Sequence, residues 1–440
     1  MGTVIVAVVR HPSSYWRRPD YVKTDLTDRS NCSAELPKRA VRVLSAVGPG
    51  DVVTAYRDWK SAVRTASETS ITFSSQEFEF FAKHGIAFWA ISSFPHAASI
   101  VDGDNRVENR PRATIRPVAG LMFHWIQFLY AISLLVSAVR FRATHAVIDS
   151  GTTQWFALGL FRLFGIEVHP NFHNVFWPEG HAPQRRVAKL IMRLDGLFFR
   201  HGVKSAIGVS PACGRQFCRM SGGATQFFDY RAQFVRGDFG ALPRSALASP
   251  LRVMFAGRVE ESKGVFDILS ICEMLEAWRP GRFVFDICGT GAASKSLAAQ
   301  VSARKLGGSV ILHGKLIRPD LLKVYGDSHL VIVPTRSTFC EGLPMVCAEA
   351  VIAGRPVITS RLSNALEALH GAVVEAREDD PRDYAAKIEA LADNPAAYAE
   401  LVRQTEAVSA QFTNPQGGLT HALERCLLGA ADQSGAKVGA

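Results

Sequence analysis

The sequence predicts an α/β protein made of two doubly wound, Rossmann-like domains that face a cleft. The chain has 440 residues, which exceeds one ordinary hydrophobic core and suits two. Its second half alternates short apolar runs, rich in Val, Ile and Phe, with helical patterns. The runs are apolar without a period of two, which is typical of parallel strands covered on both faces. Ligands of such sheets lie beyond the carboxyl ends of the strands, so the cleft is the expected binding site.

The second half has the clearer pattern. Its predicted strands are, in order, LRVMFAG, FVFDICG, SVILHG, LVIVP, PVITS and AVVEA. The helical patterns between them are VFDILSICEMLEAW, AASKSLAAQVSARKL, PDLLKVYGDS and MVCAEAVIAG. Further helices are expected after Pro381, and the last, at 418–428, is expected to pack back on the first half.

The first half repeats this order less regularly. Its predicted strands are TVIVAVV, DVVTAY, IAFWAIS, THAVIDS, IEVHPNF and SAIGVS. Its predicted helices span residues 35–47, 75–84, 120–139, 155–164 and 184–201. A Pro- and Ser-containing stretch at 240–250 is the predicted linker. The predicted domains are therefore 1–245 and 246–415, followed by a terminal helix and flexible tail at 416–440.

The composition narrows the classes of function. The formal net charge of +10 favours an anionic partner, such as a phosphorylated substrate or anionic lipid. Nucleic acid is the weakest candidate partner, because the sequence has no aromatic and basic RNA motif and no helix-turn-helix pattern. The eight cysteines form no CxxC pair, which favours free thiols in a reducing cytoplasm and argues against a zinc site. The apolar stretch at 120–139 is long enough to span a membrane, but a strand pattern follows directly, so a deeply buried core helix is predicted.

The stretch FAGRVEESKG predicts an anion site. A strand end, a tight turn at Gly257 and a helix start follow one another within it. Arg258 and Lys263 add two cations beside that helix N-terminus, which suits a phosphate. A surface loop with solvated cations is an equal alternative for this stretch alone. The next turn, in CGTGAASKSL, lacks the third glycine of a dinucleotide fingerprint and is interpreted as a tight strand-to-helix turn.

The stretch CEGLPMVCAEA places two acids around a turn. Glu341 follows a predicted strand and is expected to face the cleft, and Glu349 lies about one turn inside the next helix. One carboxylate can accept both vicinal hydroxyls of a ribose, while the backbone at Gly342 and Leu343 can donate to phosphate. The spacing suggests one ligand with sugar hydroxyls, diphosphate and ribose bound in turn. The alternative is structural, with Glu341 capping the helix and Glu349 paired with a Lys or Arg.

In this order and spacing, GRVEESKG, EGLPMVCAEA and AGRPVITS resemble the nucleotide-sugar-dependent retaining glycosyltransferases of family 4, which have the two-domain GT-B fold. The resemblance covers residues 251–360 well and the first half only in outline. It implies that Arg258 and Lys263 hold the donor diphosphate. It also implies that Glu341 lies near the donor sugar and the reaction centre, and that Glu349 binds the ribose.

The resemblance further implies that a histidine after a strand of the first domain faces the donor sugar. The candidate is His173, with His169 as the rival, and a loop histidine bonded to backbone is the alternative. Three departures leave the donor sugar open. VVRHPSSYWRRPDYV stands in place of a glycine-rich loop after the first strand, and Pro344 occupies a position where many members have Gly. SRLSNALEALHGAVV replaces the usual Gly-Gly-Pro-Glu segment.

The implied function is retaining transfer of a sugar from a nucleotide-sugar to a glycan or lipid-linked acceptor, in cell-surface polysaccharide or glycolipid synthesis. The first domain would face the acceptor and the second would bind the nucleotide-sugar. No cofactor is expected, because the nucleotide-sugar is a substrate, and no metal is required where Arg258 and Lys263 stabilise the leaving diphosphate. Asp102-Gly103-Asp104 matches the acid-x-acid motif of metal-dependent enzymes with another fold and is interpreted as a solvated loop. The alternatives are a GT-B-fold isomerase or phosphorylase, and a non-catalytic nucleotide-binding scaffold.

The stretch RRVAKLIMRLDGLFFRHGVK has an amphipathic helix pattern. Its apolar side carries Val187, Leu190, Ile191, Leu194, Leu197 and Phe198, and its basic residues lie largely elsewhere. Such a helix can lie on anionic lipid, and a core-facing helix with a solvated basic side is an equal alternative. The resulting expectation is a cytoplasmic enzyme that binds peripherally to the inner face of the membrane.

Overall fold

The computed structural model describes residues 40–63, 69–112, 121–240, 242 and 246–429. The predicted first strand, TVIVAVV, and the predicted tail after residue 429 lie outside these ranges. The described chain forms two large, mainly parallel sheets with helices around them, which confirms the predicted α/β class with two doubly wound domains.

The described strands are, in chain order, β1 (Arg42–Ala46), β2 (Ser70–Ile71), β3 (Ala87–Ser92), β4 (Ala98–Asp102), β5 (Asn105–Asn109), β6 (His145–Asp149), β7 (Glu167–Phe172), β8 (Ser205–Gly208), β9 (Gln226–Asp229), β10 (Gln233–Phe234), β11 (Leu251–Ala256), β12 (Phe283–Cys288), β13 (Val310–Gly314), β14 (Leu330–Val333), β15 (Val357–Thr359) and β16 (Val373–Glu375). The described α-helices are α1 (Val52–Lys60), α2 (Phe73–Lys83), α3 (Leu121–Phe141), α4 (Arg186–Gly202), α5 (Pro211–Ser221), α6 (Val265–Trp278), α7 (Ser294–Ala303), α8 (Arg318–Asp327), α9 (Met345–Ile352), α10 (Pro381–Ala392), α11 (Pro395–Ser409) and α12 (Leu419–Leu428). Trp155–Phe164 forms a 3₁₀ helix between β6 and β7.

The two sheets share a doubly wound plan. The first has the order β4-β5-β3-β1-β6-β7-β8-β9, in which only β4 runs antiparallel, to β5. The second has the order β13-β12-β11-β14-β15-β16, and all of its described pairs are parallel. This strand order is that of a dinucleotide-type Rossmann sheet, whose ligand crevice opens where the order reverses beside the first strand, here β11. An additional antiparallel pair, β2 with β10, completes the described sheets.

Two predictions in the first half were wrong. DVVTAY forms helix α1 rather than a strand, and β1 lies within the predicted helix at 35–47. Asp51 caps α1 by accepting from the backbone N–H of Thr54 at 3.0 Å, and the Asn109 side chain accepts from Val52. β1 is buried between β3 and β6, so its neighbours in the sheet decide its conformation. The short apolar runs of both segments carry too few residues to distinguish helix from strand.

The hairpin of β4 and β5 was not predicted, and the acid-x-acid motif forms its turn. Gly103 has a φ of +60°, a left-handed conformation that favours glycine. Asp102 accepts a hydrogen bond from the Tyr56 hydroxyl at 2.7 Å and pairs with Lys60 at 2.8 Å. The motif therefore stabilises the contact between the hairpin and α1.

Helix α3 differs from the deeply buried helix that the sequence predicted. One side packs against the first sheet, where Leu134 and Ala138 are fully buried. The other side carries exposed Met122, Trp125 and Leu129. By length and composition Met122–Phe141 could cross a bilayer, yet 33% of its most apolar window is buried in the protein. The prediction was wrong because composition alone does not report which side of a helix a sheet covers.

The end of the described chain returns to the first sheet. α10 and α11 extend the second core, where Ile388 and Tyr398 are buried. α12 then packs against α2 and β8, and its Leu419 and Leu423 are fully buried in the core of the first sheet. This packing ties the two ends of the described chain into one core.

Candidate active site

A cleft of about 740 Å³ lies between the carboxyl ends of the two sheets. Asp149 ends β6 and His173 follows β7, so both reach the cleft from the first sheet. Gly257 follows β11 and Thr335 lies just beyond β14, so the second sheet contributes the opposite wall. The volume is within the range of small-molecule sites, and the position is the one expected for a doubly wound sheet.

Glycines allow the strand-to-helix turns of the second sheet to approach one another. Gly289, in the predicted tight turn after β12, has a φ of +138°, and a Cβ atom there would overlap the carbonyl oxygen of Gly257. Gly264, before α6, has a φ of +73°, and its Cβ would overlap the carbonyl oxygen of Pro334. The glycines that the sequence singled out therefore permit close backbone packing at the cleft floor.

Lys263 and Glu341 form an ion pair inside the cleft. Glu341 is 8% exposed, and the Thr335 hydroxyl lies 3.4 Å from its carboxylate. The Lys263 ammonium also lies 4.1 Å from the centre of the Phe339 ring, a favourable cation–π distance. The ion pair keeps a cation and an anion facing the cavity at the carboxyl end of the second sheet.

Arg258 lies at the rim of the cleft and points more toward solvent. Its side chain is 60% exposed and its guanidinium donates to Glu260 at 2.7 Å. It also lies over Phe339, at 5.8 Å from the ring centre, so both predicted cations flank the same aromatic ring. An exposed surface ion pair costs little free energy to break, so Arg258, which lines the cleft, can exchange Glu260 for an anion there.

Glu349 is buried, and hydroxyl groups surround its carboxylate. It accepts from the Tyr325 hydroxyl at 2.8 Å and from the hydroxyl of Thr69, which comes from the other half of the chain. Tyr325 is fully buried, so its hydroxyl holds the carboxylate of Glu349 in place from the protein interior. Thr69 supplies the kind of donor that a ribose hydroxyl would supply. A bound ribose would therefore compete with Thr69 for this carboxylate.

The turn Gly342-Leu343 brings the two halves into direct contact. A Cβ atom at Gly342 would overlap the carbonyl oxygen of His173. The backbone N–H of Val175 approaches the carbonyl oxygen of Glu341 at 3.5 Å, and Leu343 packs against the cores of both sheets. Pro344 precedes α9 without a side-chain cap, so Glu341 is not the cap that the structural alternative required.

His173 reaches the cleft through a network that the sequence did not reveal. Its Nε2 lies 3.0 Å from Asp149 Oδ2, and its ring packs on Phe73 at 4.8 Å between centres. Asn171 donates to the other Asp149 oxygen at 2.8 Å and accepts from the Tyr230 hydroxyl at 2.7 Å. Asp149 thus orients the imidazole, and its only sequence signal is an acid at the end of a predicted strand.

His169, the rival histidine, lies in the core of β7 instead. It is 2% exposed, and its Nδ1 is within 3.2 Å of Ser205 Oγ and of Cys426 Sγ. Burial lowers its pKa to about 4. With His145 and Glu167 it forms a cluster of possible metal ligands at the amino ends of β6 and β7, opposite the cleft.

Glu77 is a second acid that the sequence analysis missed. It is 1% exposed in α2 and accepts from the Ser45 hydroxyl at 2.6 Å. Burial, together with the nearby charge of Asp149, raises its pKa to about 8. At neutral pH Glu77 therefore holds a proton.

The structure thus brings most of the predicted site residues to one cavity. The cleft is lined by Gly257, Arg258, Lys263, Glu341, Leu343, Glu349 and His173. Gly342 lies beside them, against the backbone of His173. Asp149, Glu77 and Thr69 of the first half are among the residues that the sequence analysis did not single out, and their contacts with the site depend on tertiary packing.

The second half matches a known family, and the whole fold matches solved structures. The model for the family "glycosyl transferases group 1" matches residues 245–408. A D-inositol 3-phosphate glycosyltransferase of Arthrobacter sp. (strain FB24) is 27% identical over 304 residues, which cover 63% of this chain and 70% of the relative. The match therefore extends well into the first half.

Two solved structures show the same architecture at low sequence identity. Sucrose-phosphate synthase from Thermosynechococcus elongatus is 16% identical with a TM-score of 0.66, over 89% of this chain and 100% of its own. HepE from Anabaena, solved in complex with UDP, is 14% identical with a TM-score of 0.58, over 88% of this chain and 98% of its own. The predicted GT-B arrangement of two facing domains is confirmed by these matches.

Proposed function

This chain belongs to the glycosyl transferase group 1 family, the retaining glycosyltransferases of family 4, and from this premise we propose that it transfers a sugar from a nucleotide-sugar to a glycan or lipid-linked acceptor. The observation that carries the proposal is the single cleft that collects Lys263, Glu341 and Glu349 from the second sheet and His173 from the first. A nucleotide-sugar presents a ribose, a diphosphate and a sugar, and the cleft offers side chains of matching chemistry for each of these three parts.

The donor diphosphate is proposed to lie between Arg258, Lys263 and the turn at Gly342-Leu343. Arg258 can grip phosphate oxygens through two N–H donors, and Lys263 supplies a compact charge. The N-terminus of α9 follows that turn and adds its positive end. These groups stabilise the negative charge that develops as the sugar–phosphate bond breaks, without a requirement for a metal ion.

The donor sugar is proposed to lie between Glu341 and His173. As the sugar gains oxocarbenium character, the carboxylate of Glu341 and the imidazole held by Asp149 can stabilise the positive charge and fix the hydroxyls. Asp149 accepts from His173 at 3.0 Å, so it sets the orientation of the ring without contacting the sugar. The close packing of Gly342 on His173 supports this placement, because it keeps both walls of the sugar site at a fixed separation.

The free thiols and the positive net charge of the chain support the proposed acceptor and location. Each of the seven cysteines in the described ranges is a free thiol, which supports a reducing cytoplasmic compartment. A cytoplasmic retaining transferase with a basic chain suits synthesis of cell-surface polysaccharide or glycolipid on the inner side of the membrane.

The proposal is tested first by a screen for donors. Thermal unfolding is measured with UDP-, GDP- and ADP-sugars, because a ligand that binds only the folded state raises the apparent melting temperature. The best donor is then incubated with enzyme, and product analysis separates release or transfer of the sugar from isomerisation. A protein that binds a nucleotide-sugar but never breaks its sugar–phosphate bond would be a scaffold and would contradict the proposal.

The variant Glu341→Gln tests the residue at the reaction centre. Donor turnover is expected to fall by about 10²-fold or more, since the variant removes a charge that acts on the transition state. Glu375→Gln is the matched control, because it changes an exposed carboxylate at the end of β16 in the same domain. Wild-type turnover in Glu341→Gln would exclude the assigned role.

A further inference from the structure

One side of α3 carries large apolar side chains that are about half exposed among the described residues. Met122, Trp125 and Leu129 recur at helical spacing, and Trp125 is 56% exposed. Exposed Val136 and Val139 continue the same side toward the end of the helix. The opposite side is anchored on β1, so α3 cannot cross a bilayer while the first sheet is folded. A row of exposed apolar residues along a whole helix marks an interaction surface.

Helix α4 shows a second apolar stripe with cations beside it. Val187, Leu190, Leu194 and Leu197 lie on one exposed side, and Leu190 is 57% exposed. Its opposite side is fixed by buried Phe198 and Phe199 and by Asp195, which accepts from the backbone N–H of Phe156 at 2.9 Å. The core therefore covers only part of the apolar side that the sequence predicted, and the rest faces outward.

The exposed cations of α4 have no acidic partners in the described part of the chain. Arg186, Lys189 and Arg193 are exposed and form no ion pair with a described residue. Each of them immediately precedes a residue of the apolar stripe in the sequence, so the cations lie along one edge of that stripe. An apolar stripe flanked by unpaired cations complements a bilayer with anionic headgroups.

The 3₁₀ helix Trp155–Phe164 contacts both of the helices that carry these stripes. It packs against both α3 and α4, and its Leu163 and Phe164 are exposed. We name these exposed side chains the α3–α4 face, and its members are Met122, Trp125, Leu129, Val136, Val139, Leu163, Phe164, Val187, Leu190, Leu194 and Leu197.

The α3–α4 face begins near the rim of the cleft. The first turn of α3 is fixed by a hydrogen bond between His124 and Gln154, and the Thr153 hydroxyl donates to the carbonyl oxygen of Gln127 at 2.7 Å. Thr153 and Gln154 follow β6 by a few residues, and β6 ends at Asp149 in the cleft. A molecule embedded in a surface that touches the start of α3 would therefore lie close to the acceptor side of the cleft.

We propose that the α3–α4 face binds an anionic lipid bilayer, with α3 and α4 lying in the plane of the headgroups. The apolar side chains would enter the boundary between headgroups and acyl chains, and the cations of α4 would contact lipid phosphates. This proposal deepens the proposed function, since it would bring a lipid-linked acceptor to the cleft. Binding of the protein to the bilayer does not require turnover of the sugar donor, so the two can be measured separately.

Sedimentation with vesicles tests the proposal on the full chain. The wild type is expected to bind vesicles of phosphatidylglycerol and phosphatidylcholine at low salt, and to bind pure phosphatidylcholine much more weakly. Trp125→Ser combined with Leu190→Ser is expected to lower the partition coefficient by at least about tenfold. Arg186→Gln, Lys189→Gln and Arg193→Gln together are expected to lower it about 100-fold on anionic vesicles, at about fivefold per cation.

Trp278→Ser combined with Val101→Ser is the matched control. Both residues are exposed, and both lie outside the α3–α4 face. The control is expected to bind vesicles as the wild type does, and all variants are expected to keep the wild-type melting temperature because the changed residues are exposed.

Four results would overturn the proposal. They are a wild type that stays in the supernatant with anionic vesicles, equal binding to neutral vesicles, an apolar double variant that binds normally, and a control that loses binding equally. A dimer seen by analytical ultracentrifugation, lost in the apolar variant and without vesicle binding, would assign the face to a second copy instead. Donor turnover in solution is measured separately, so that failure of membrane binding and failure of the proposed function are distinguishable.

Discussion

The role of Glu349 can be tested by removing its charge while keeping its shape. Glu349→Gln retains an oxygen that can accept from the Tyr325 hydroxyl, now at 2.8 Å, so the fold should be preserved. If the carboxylate binds the ribose diol, the change weakens two hydrogen bonds to a charged acceptor. Such bonds contribute about 1.5–3 kcal/mol each and neutral ones about 0.5–1.5 kcal/mol. The expected net loss is about 2 kcal/mol, or roughly 30-fold in Kd, after allowance for the release of Thr69.

Isothermal titration calorimetry measures this loss with the nucleoside diphosphate that binds best in the donor screen. The wild type should bind the 2′,3′-dideoxy analogue roughly 30-fold more weakly than the parent nucleotide. Glu349→Gln should discriminate between the two ligands much less than the wild type does, since only neutral hydrogen bonds to the ribose hydroxyls remain. Glu375→Gln should behave as the wild type. The reasoning is refuted if Glu349→Gln binds the nucleotide normally or discriminates against the dideoxy analogue as strongly as the wild type.

Two further predictions concern the packing and the proton balance of the cleft. Gly342→Ala should lower the free energy of unfolding by about 1–3 kcal/mol, because its Cβ would overlap the backbone of His173. Gly307→Ala is the control and should change the stability little, because its Cβ would enter open space. Equal free energies of unfolding of the two variants, measured by chemical denaturation, would contradict this. Glu77 holds its proton up to a pKa of about 8 in the folded state against 4.5 when unfolded, so wild-type stability should fall as pH rises between these values. Glu77→Gln should remove this dependence. The free energy of unfolding of the variant minus that of the wild type, measured in urea, should therefore rise by up to about 1.4 kcal/mol per pH unit from pH 5 to 8. Parallel pH profiles of the two proteins would show that Glu77 does not titrate there.

The second domain could be predicted closely from local patterns. Each of its predicted strands is present, and VFDILSICEMLEAW coincides with α6, Val265–Trp278. Its four central strands, β11, β12, β14 and β15, are mostly buried, so their continuous apolar runs identify them, and glycines mark the turns between strands and helices. The cations and acids of its motifs lie at strand ends, and parallel strands bring such ends to one edge. That is why Lys263 and Glu341 could be expected in one cleft before any coordinates were known.

The first domain was harder to predict because its segments are locally ambiguous. Val52 and Val53 favour a strand by propensity, yet Asp51 and Asn109 cap the backbone N–H groups of a helix at this point. Asn109 is distant in sequence, so no local pattern contains its effect. For the same reason, an apolar helix such as α3 does not reveal which of its sides the sheet covers.

The sequence by itself determined the α/β class, the second sheet and the cations and acids that we propose bind a nucleotide-sugar. These follow from periodicity and from residue types at strand ends, which are local properties of the chain. Only the tertiary structure decided that Gly342 packs on His173, that Asp149 orients that histidine, that the Thr69 hydroxyl donates to Glu349, and that α3 and α4 each leave apolar side chains exposed. Each of these depends on contacts between residues far apart in the chain, and such contacts are fixed by the packing of whole sheets and helices.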